Sequence, residues 1–172
     1  FLSRDALSRA ELVQLHAGQR LIEICRMSED DGVLGNTVGV LANMAHKDSI
    51  AEVLDAGAVE VIVQACVFTK HDTSVTSNAV LALHNFVRDS TARKQMVASG
   101  ALHILIHICQ ASAETGVVVN AVGTIANLAV DFEIQEQLIQ EGVFEALAHV
   151  CEVCEHQKTL EFVATTFALL AN

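Results

Sequence analysis

The segment Gly39-Val40-Leu41-Ala42-Asn43 returns as Leu81-Ala82-Leu83-His84-Asn85 and again as Gly123-Thr124-Ile125-Ala126-Asn127. The closing asparagines stand 42 and 42 residues apart, and a looser copy closes at Asn172. A second marker keeps the same beat: Gly57, Gly100 and Gly142 are spaced by 43 and 42, each followed nine residues later by a cysteine, Cys66, Cys109 or Cys151. Gly18 and Cys25 read as a shortened first copy. A period of roughly 20 to 50 residues marks stacked supersecondary units, so the repeat decides the architecture before any local feature does.

Between the markers the apolar pattern is helical rather than alternating. Ahead of each glycine lies an apolar pair (Val53-Leu54, Met96-Val97, Leu138-Ile139), and the glycine supplies the turn that ends one helix and starts the next. A second helix follows, with inward positions Val59, Ile62 and Cys66, then Leu102, Leu105 and Cys109, then Phe144, Leu147 and Cys151. Polar breaks at Thr69 to Thr73, Gln110 to Thr115 and Glu155 to Lys158 open a longer third helix. Its core stripe is Val38 and Leu41, Val80 and Leu83, Val122 and Ile125, Phe167 and Leu170. One short and two longer helices every 42 residues cannot bury all their apolar faces alone, which predicts an all-α solenoid.

The Ala56-Gly57-Ala58 and Gly100-Ala101 junctions, with third-helix endings Leu41-Ala42-Asn43-Met44-Ala45, Leu83-His84-Asn85-Phe86-Val87 and Ile125-Ala126-Asn127-Leu128-Ala129, resemble the armadillo repeat family. HEAT repeats are the alternative within the same class; the recurrent asparagine favours armadillo. The resemblance implies a right-handed α-solenoid of about four three-helix repeats, roughly 5–46, 47–89, 90–131 and 132–172, forming one domain over 1–172. The start at Phe1 is read as that of a fragment of a longer chain.

Third helices line the concave groove in that family, so their outward residues are the candidate site. Asparagine is a poor helix former, costing roughly several tenths of a kcal/mol relative to alanine, and a helical ladder of it calls for a reason. Seven residues before each closing asparagine, two turns back and on the same face, stand Asn36, Asn78 and Asn120; the fourth copy has Thr165 and Asn172. A carboxamide offers both donor and acceptor, which suits the backbone of an extended peptide. By resemblance to the peptide-binding members, Asn43, Asn85, Asn127 and Asn172 take that role. The alternative is that the amides bond neighbouring third helices or cap carbonyls, holding the stack in register.

Nuclear-import adaptors of the family place tryptophans four residues before these asparagines. Here the positions hold Gly39, Leu81, Gly123 and Ala168, and the chain has no tryptophan. The lysine-stem sandwich is therefore missing. A floor of small residues with Leu81 between them suits an apolar anchor instead. The candidate partner-binding set is thus Asn36, Asn43, Asn78, Leu81, Asn85, Asn120, Asn127 and Asn172.

Charge narrows the partners. Ten Lys and Arg against 21 Asp and Glu give a net charge of -11, and the aromatics are all phenylalanine, which excludes the basic stripe and stacking platforms of nucleic-acid binders. From Ser112 onward Lys158 alone opposes Glu114, Asp131, Glu133, Glu136, Glu141, Glu145, Glu152, Glu155 and Glu161, which favours a basic protein segment or a solvated face. Five cysteines in so apolar a chain predict free thiols and a reducing compartment, cytoplasmic or also nuclear. The longest uncharged stretch, Gln95 to Ala113, carries Gly100, His103, His107 and Gln110 and reads as a buried helix rather than a membrane span.

No phosphate loop, nucleophile elbow or HExxH motif is present, so no catalytic residue, metal or cofactor is expected. Cys151, Cys154 and His156 form only a fragment of a zinc motif, and His103 with His107 is a two-ligand pair without a carboxylate in phase. The expected function is a non-enzymatic scaffold for an extended or helical segment of a partner protein. The competing reading is a structural, self-associating solenoid segment, or an adaptor regulating a small GTPase, motor or transport cargo. Both ends are apolar for capping repeats (Leu12, Val13, Leu15, Leu21, Ile22; Phe162, Val163, Phe167, Leu169, Leu170), which predicts either further repeats or homo-oligomers.

Overall fold

A computed structural model describes residues 6–46, 48–68 and 73–171. They form twelve helices in four triplets. The first triplet is α1 (Ala6–Gln14), α2 (Ala17–Met27) and α3 (Asp31–Met44), and the second α4 (Ile50–Asp55), α5 (Ala58–Phe68) and α6 (Thr73–Phe86). The third is α7 (Ser90–Ala98), α8 (Ala101–Ala111) and α9 (Thr115–Leu128), and the fourth α10 (Phe132–Gln140), α11 (Val143–Val153) and α12 (Gln157–Leu170). They gather into two compact units, one ending at Ser99 and one starting at Gly100. The polar break at Thr69 to Thr73 lies almost wholly outside the described residues.

Short polar residues start these helices by accepting from N–H groups that have no partner within the helix. Asp30 accepts from Val33 N–H at 2.8 Å ahead of α3. Asp89 accepts from Thr91 and Ala92 N–H at 2.8 and 3.1 Å ahead of α7. Asp131 serves α10 through Glu133 N–H at 3.2 Å. Ahead of α12 the cap is an imidazole, with His156 Nδ1 accepting from Thr159 N–H at 3.4 Å.

Gly57, Gly100 and Gly142 each adopt a left-handed φ, at 91°, 80° and 85°, and let a second helix leave sharply from a first. In the first triplet that position is held by His16, at φ 50°. This corrects the expected junction at Gly18, because His16, nine residues before Cys25, restores the full spacing and the first copy is not shortened. Gly18 is instead buried inside α2, where a Cβ would stand 2.6 Å from a Val53 methyl. Its glycine reflects close approach to α4. The sequence could not separate the two causes, since a left-handed histidine leaves no pattern.

The cores follow the helical stripes. Val38, Leu41, Val80, Leu83, Val59 and Ile62 are fully buried in the first unit, as are Leu105, Val122, Ile125 and Leu147 in the second. Departures concentrate in the last triplet. Cys151 and Phe144, expected inward, are exposed, and Phe167 and Leu170 are only half-buried. Cys109 is buried on α8, which packs against α11; no described helix covers the matching face of α11 in turn. Phe144 and Phe167 stack on each other there, 6.0 Å between ring centroids. Ile139 is also exposed, while Cys66 and Val97 are half-buried.

Candidate functional site

The asparagines occupy one phase of the third helices but make two kinds of hydrogen bond. Asn36 on α3 is exposed, and Asn43, Asn78, Asn85, Asn120 and Asn127 are half-exposed. On α6, Asn78 Nδ2 donates to the Gly35 carbonyl and Asn85 Nδ2 to the Ala42 carbonyl, each at 2.9 Å. These two bonds tie α6 to α3. Asn43 and Asn127 instead donate within their own helices, to the Gly39 carbonyl at 2.9 Å and the Gly123 carbonyl at 2.7 Å. Those carbonyls lie four residues back, one turn away.

Glycine makes the α3/α6 bridge reachable. Gly35 and Gly39 lie one turn apart on α3, and α3 with α6 is the most extensively packed helix pair. A Cβ at Gly35 would stand 3.3 Å from a Val75 methyl, and one at Gly39 3.4 Å from Asn78 Nδ2. With hydrogen at both positions the amide reaches a neighbouring backbone. On α9 the corresponding positions hold Val119 and Gly123. Thr165 on α12 donates to the Glu161 carbonyl of its own helix, at 2.8 Å.

Leu81, one turn before Asn85, is 38% exposed, an apolar side chain left partly open beside the amides. Asn172 lies outside the described residues. The bonding of each amide was not readable from sequence, since it depends on how closely the preceding helix approaches. The glycine pair at 35 and 39 was the available signal.

Burial dominates the thiols. It pushes Cys25 up from 9.0 to about 11 and Cys66 and Cys109 to about 12. All five cysteines are free. Both carboxyl oxygens of Glu52 are buried beside the Gly18 backbone, and burial, outweighing that contact, pushes the group above its ordinary 4.5. Among the described residues no three His, Cys, Asp or Glu side chains stand together as metal ligands, and no helix is long and apolar enough to cross a membrane. His103 Nδ1 lies 3.1 Å from Glu141 Oε2, an exposed pair linking α8 to the residue just after α10. A shallow cavity of about 350 Å³ opens between the end of α2 and α5, lined by Cys25, Arg26, Glu29, Asp31 and Gln64 among others.

Residues 90–130 match the armadillo/beta-catenin-like repeat family model. No curated protein sequence matches the chain significantly. Solved structures do. A computationally designed armadillo repeat protein for modular peptide recognition is 23% identical, with a TM-score of 0.87 over 98% of this chain and 70% of its own. A designed armadillo repeat protein in complex with the peptide (KR)4 is 20% identical, with a TM-score of 0.85 over 98% of this chain and 71% of its own. An engineered protein is 25% identical, with a TM-score of 0.87 over 99% of this chain and 41% of its own. Residues 90–130 thus read as an armadillo repeat, and the four helix triplets share the all-α solenoid fold of the designed armadillo repeat proteins.

Proposed function

We propose that the chain is a non-enzymatic scaffold that holds an extended segment of a partner protein along its third helices, in the concave groove of the armadillo fold. The observation that carries this reading is the accessibility of the amide ladder. The six described asparagines all stay at least partly open, on helices whose flanking Val38, Leu41, Val80, Leu83, Val122 and Ile125 are fully buried. An amide that donates one N–H to a helix carbonyl keeps its second N–H and its oxygen for a peptide backbone. Asn36, Asn43, Asn120 and Asn127 hold the peptide; Asn78 and Asn85 add their free atoms while bridging α6 to α3, and Asn172 continues the ladder. Leu81 receives an apolar side chain.

The excess of carboxylates beyond Ser112 favours a basic segment. The designed relative bound to (KR)4 supplies a concrete probe. Free thiols support a reducing compartment, the cytoplasm first. All four repeats, 1–172, act as one domain in this reading.

The test is fluorescence anisotropy with a labelled alternating Lys-Arg octapeptide. Asn120→Ala/Asn127→Ala should weaken binding about tenfold, two hydrogen bonds at about 0.5–1.5 kcal/mol each, with helicity unchanged. Equal affinity in wild type and variant would remove the third-helix reading. Self-association is the second reading, favoured by Leu7, Leu15 and Met27, which are 85%, 63% and 86% exposed around α1 and α2. It requires a mass that rises with concentration in sedimentation.

A further inference from the structure

Helix α10 has an outward face that nothing in the third-helix reading uses. The helix buries Ile134 and Leu138 and turns Phe132, Glu136 and Ile139 outward, at i, i+4 and i+7 on one face. Phe132 is 81% exposed, Ile139 42%, and Val130 beside the helix start 68%. Single exposed apolar residues are ordinary; three gathered within about two turns are less so. Carboxylates surround them, with Asp131 and Glu133 at the helix start and Glu136 between the two apolar side chains.

The preceding repeat shows that the fold does not require this face. Arg93 Nη1 on α7 donates to the Val87 carbonyl at 3.1 Å, and Gln135 Nε2 on α10 donates to the Ala129 carbonyl at 2.8 Å, the same bond 42 residues later. The frame is equivalent, but Phe132, Glu136 and Ile139 correspond to Ser90, Lys94 and Val97 on α7. Ser90 and Lys94 have become Phe132 and Glu136, while Val97 stays apolar as Ile139, without a change in what holds the helix.

We infer that Phe132 and Ile139 on α10, with Val130 just ahead of it, rimmed by Asp131, Glu133 and Glu136, form a docking surface for a short amphipathic helix of a partner protein that carries lysine or arginine beside its apolar stripe. The seven steps from Phe132 to Ile139 rise about 10 Å, matching apolar side chains two turns apart on the incoming helix. The carboxylate rim supplies orientation and encounter rate, and excludes an acidic helix of the same apolar pattern. Charge also selects against a second copy of this half of the chain, whose only cation beyond Ser112 is Lys158.

The probe is a labelled 14-residue amphipathic Leu-Lys peptide titrated into the whole chain, with a Leu-Glu peptide of the same pattern as control. Wild type should saturate with the Leu-Lys peptide and ignore the Leu-Glu peptide. Phe132→Ser/Ile139→Ser should weaken binding at least tenfold and Glu136→Lys about threefold, while Ser90→Ala, at the matching exposed position of α7, leaves it unchanged. All three α10 positions are exposed, and circular dichroism of the variants should match wild type. Absence of saturable binding, equal binding of the two peptides, or indifference to the α10 substitutions would each overturn the inference. Loss on Asn127→Ala alone would assign the peptide to the third helices, and an α10-dependent dimer in sedimentation would assign the face to a second copy.

Discussion

The α3/α6 pair and the α9/α12 pair carry related polar ladders but join their helices differently. In the first, two amides of the later helix reach carbonyls of the earlier one. In the second, the described polar side chains of the ladder bond within their own helices. A recurring asparagine therefore fixes a position and not a role. On α12 the positions matching Asn78 and Asn85 hold Phe162 and Leu169, so no amide stands there to reach α9.

The strongest way to break this contrast is to fill α3. Gly35→Leu forces atoms into the contact with Val75 and should cost about 1–3 kcal/mol by overpacking, read as a lower urea midpoint at unchanged slope. An unaltered midpoint would mean that close approach is not what the glycine provides. Next in size, Asn85→Ala deletes one inter-helix bond and should cost about 1 kcal/mol. Asn127→Ala deletes only an own-helix bond and gains helix propensity, so it should stay within about 0.5 kcal/mol of wild type. Equal losses in the two variants would erase the distinction.

A further effect vanishes at neutral pH. Cys109 is held neutral by burial, at about 12 against 9.0 when free, so the unfolded chain releases its thiol proton first as pH rises. Its contribution is whole below pH 9 and disappears progressively toward about pH 12. Cys109→Ala should therefore lose less stability than wild type between about pH 8 and pH 10.5, measured by urea unfolding at both values. An identical drop in both proteins would show that other groups carry the alkaline loss.

Much of this was legible because repetition multiplies weak signals. The triplet order, the glycine junctions and the third-helix stripes each recur, and each recurrence constrains the next. Residues whose state depends on a neighbour's surface were not legible. Cys151 has the phase of Cys109 yet is exposed, because the helix face it shares has no described cover. His16 occupies a glycine's conformation with a side chain that announces nothing. The ladder's phase was plain in the sequence, whereas the bridging bonds of Asn78 and Asn85 depend on helix separation, for which the glycines at 35 and 39 were the one hint.

The free cysteines give the chain a built-in clock. Cys25 lies in the first triplet, Cys66 in the second and Cys109 in the third, all raised by burial, while Cys151 in the fourth is open to reagent. An alkylating agent labels Cys151 from the native state but reaches Cys109 only when its surroundings open. The order in which mass spectrometry finds the other thiols modified would reveal, repeat by repeat and without any introduced probe, the sequence in which the solenoid comes apart.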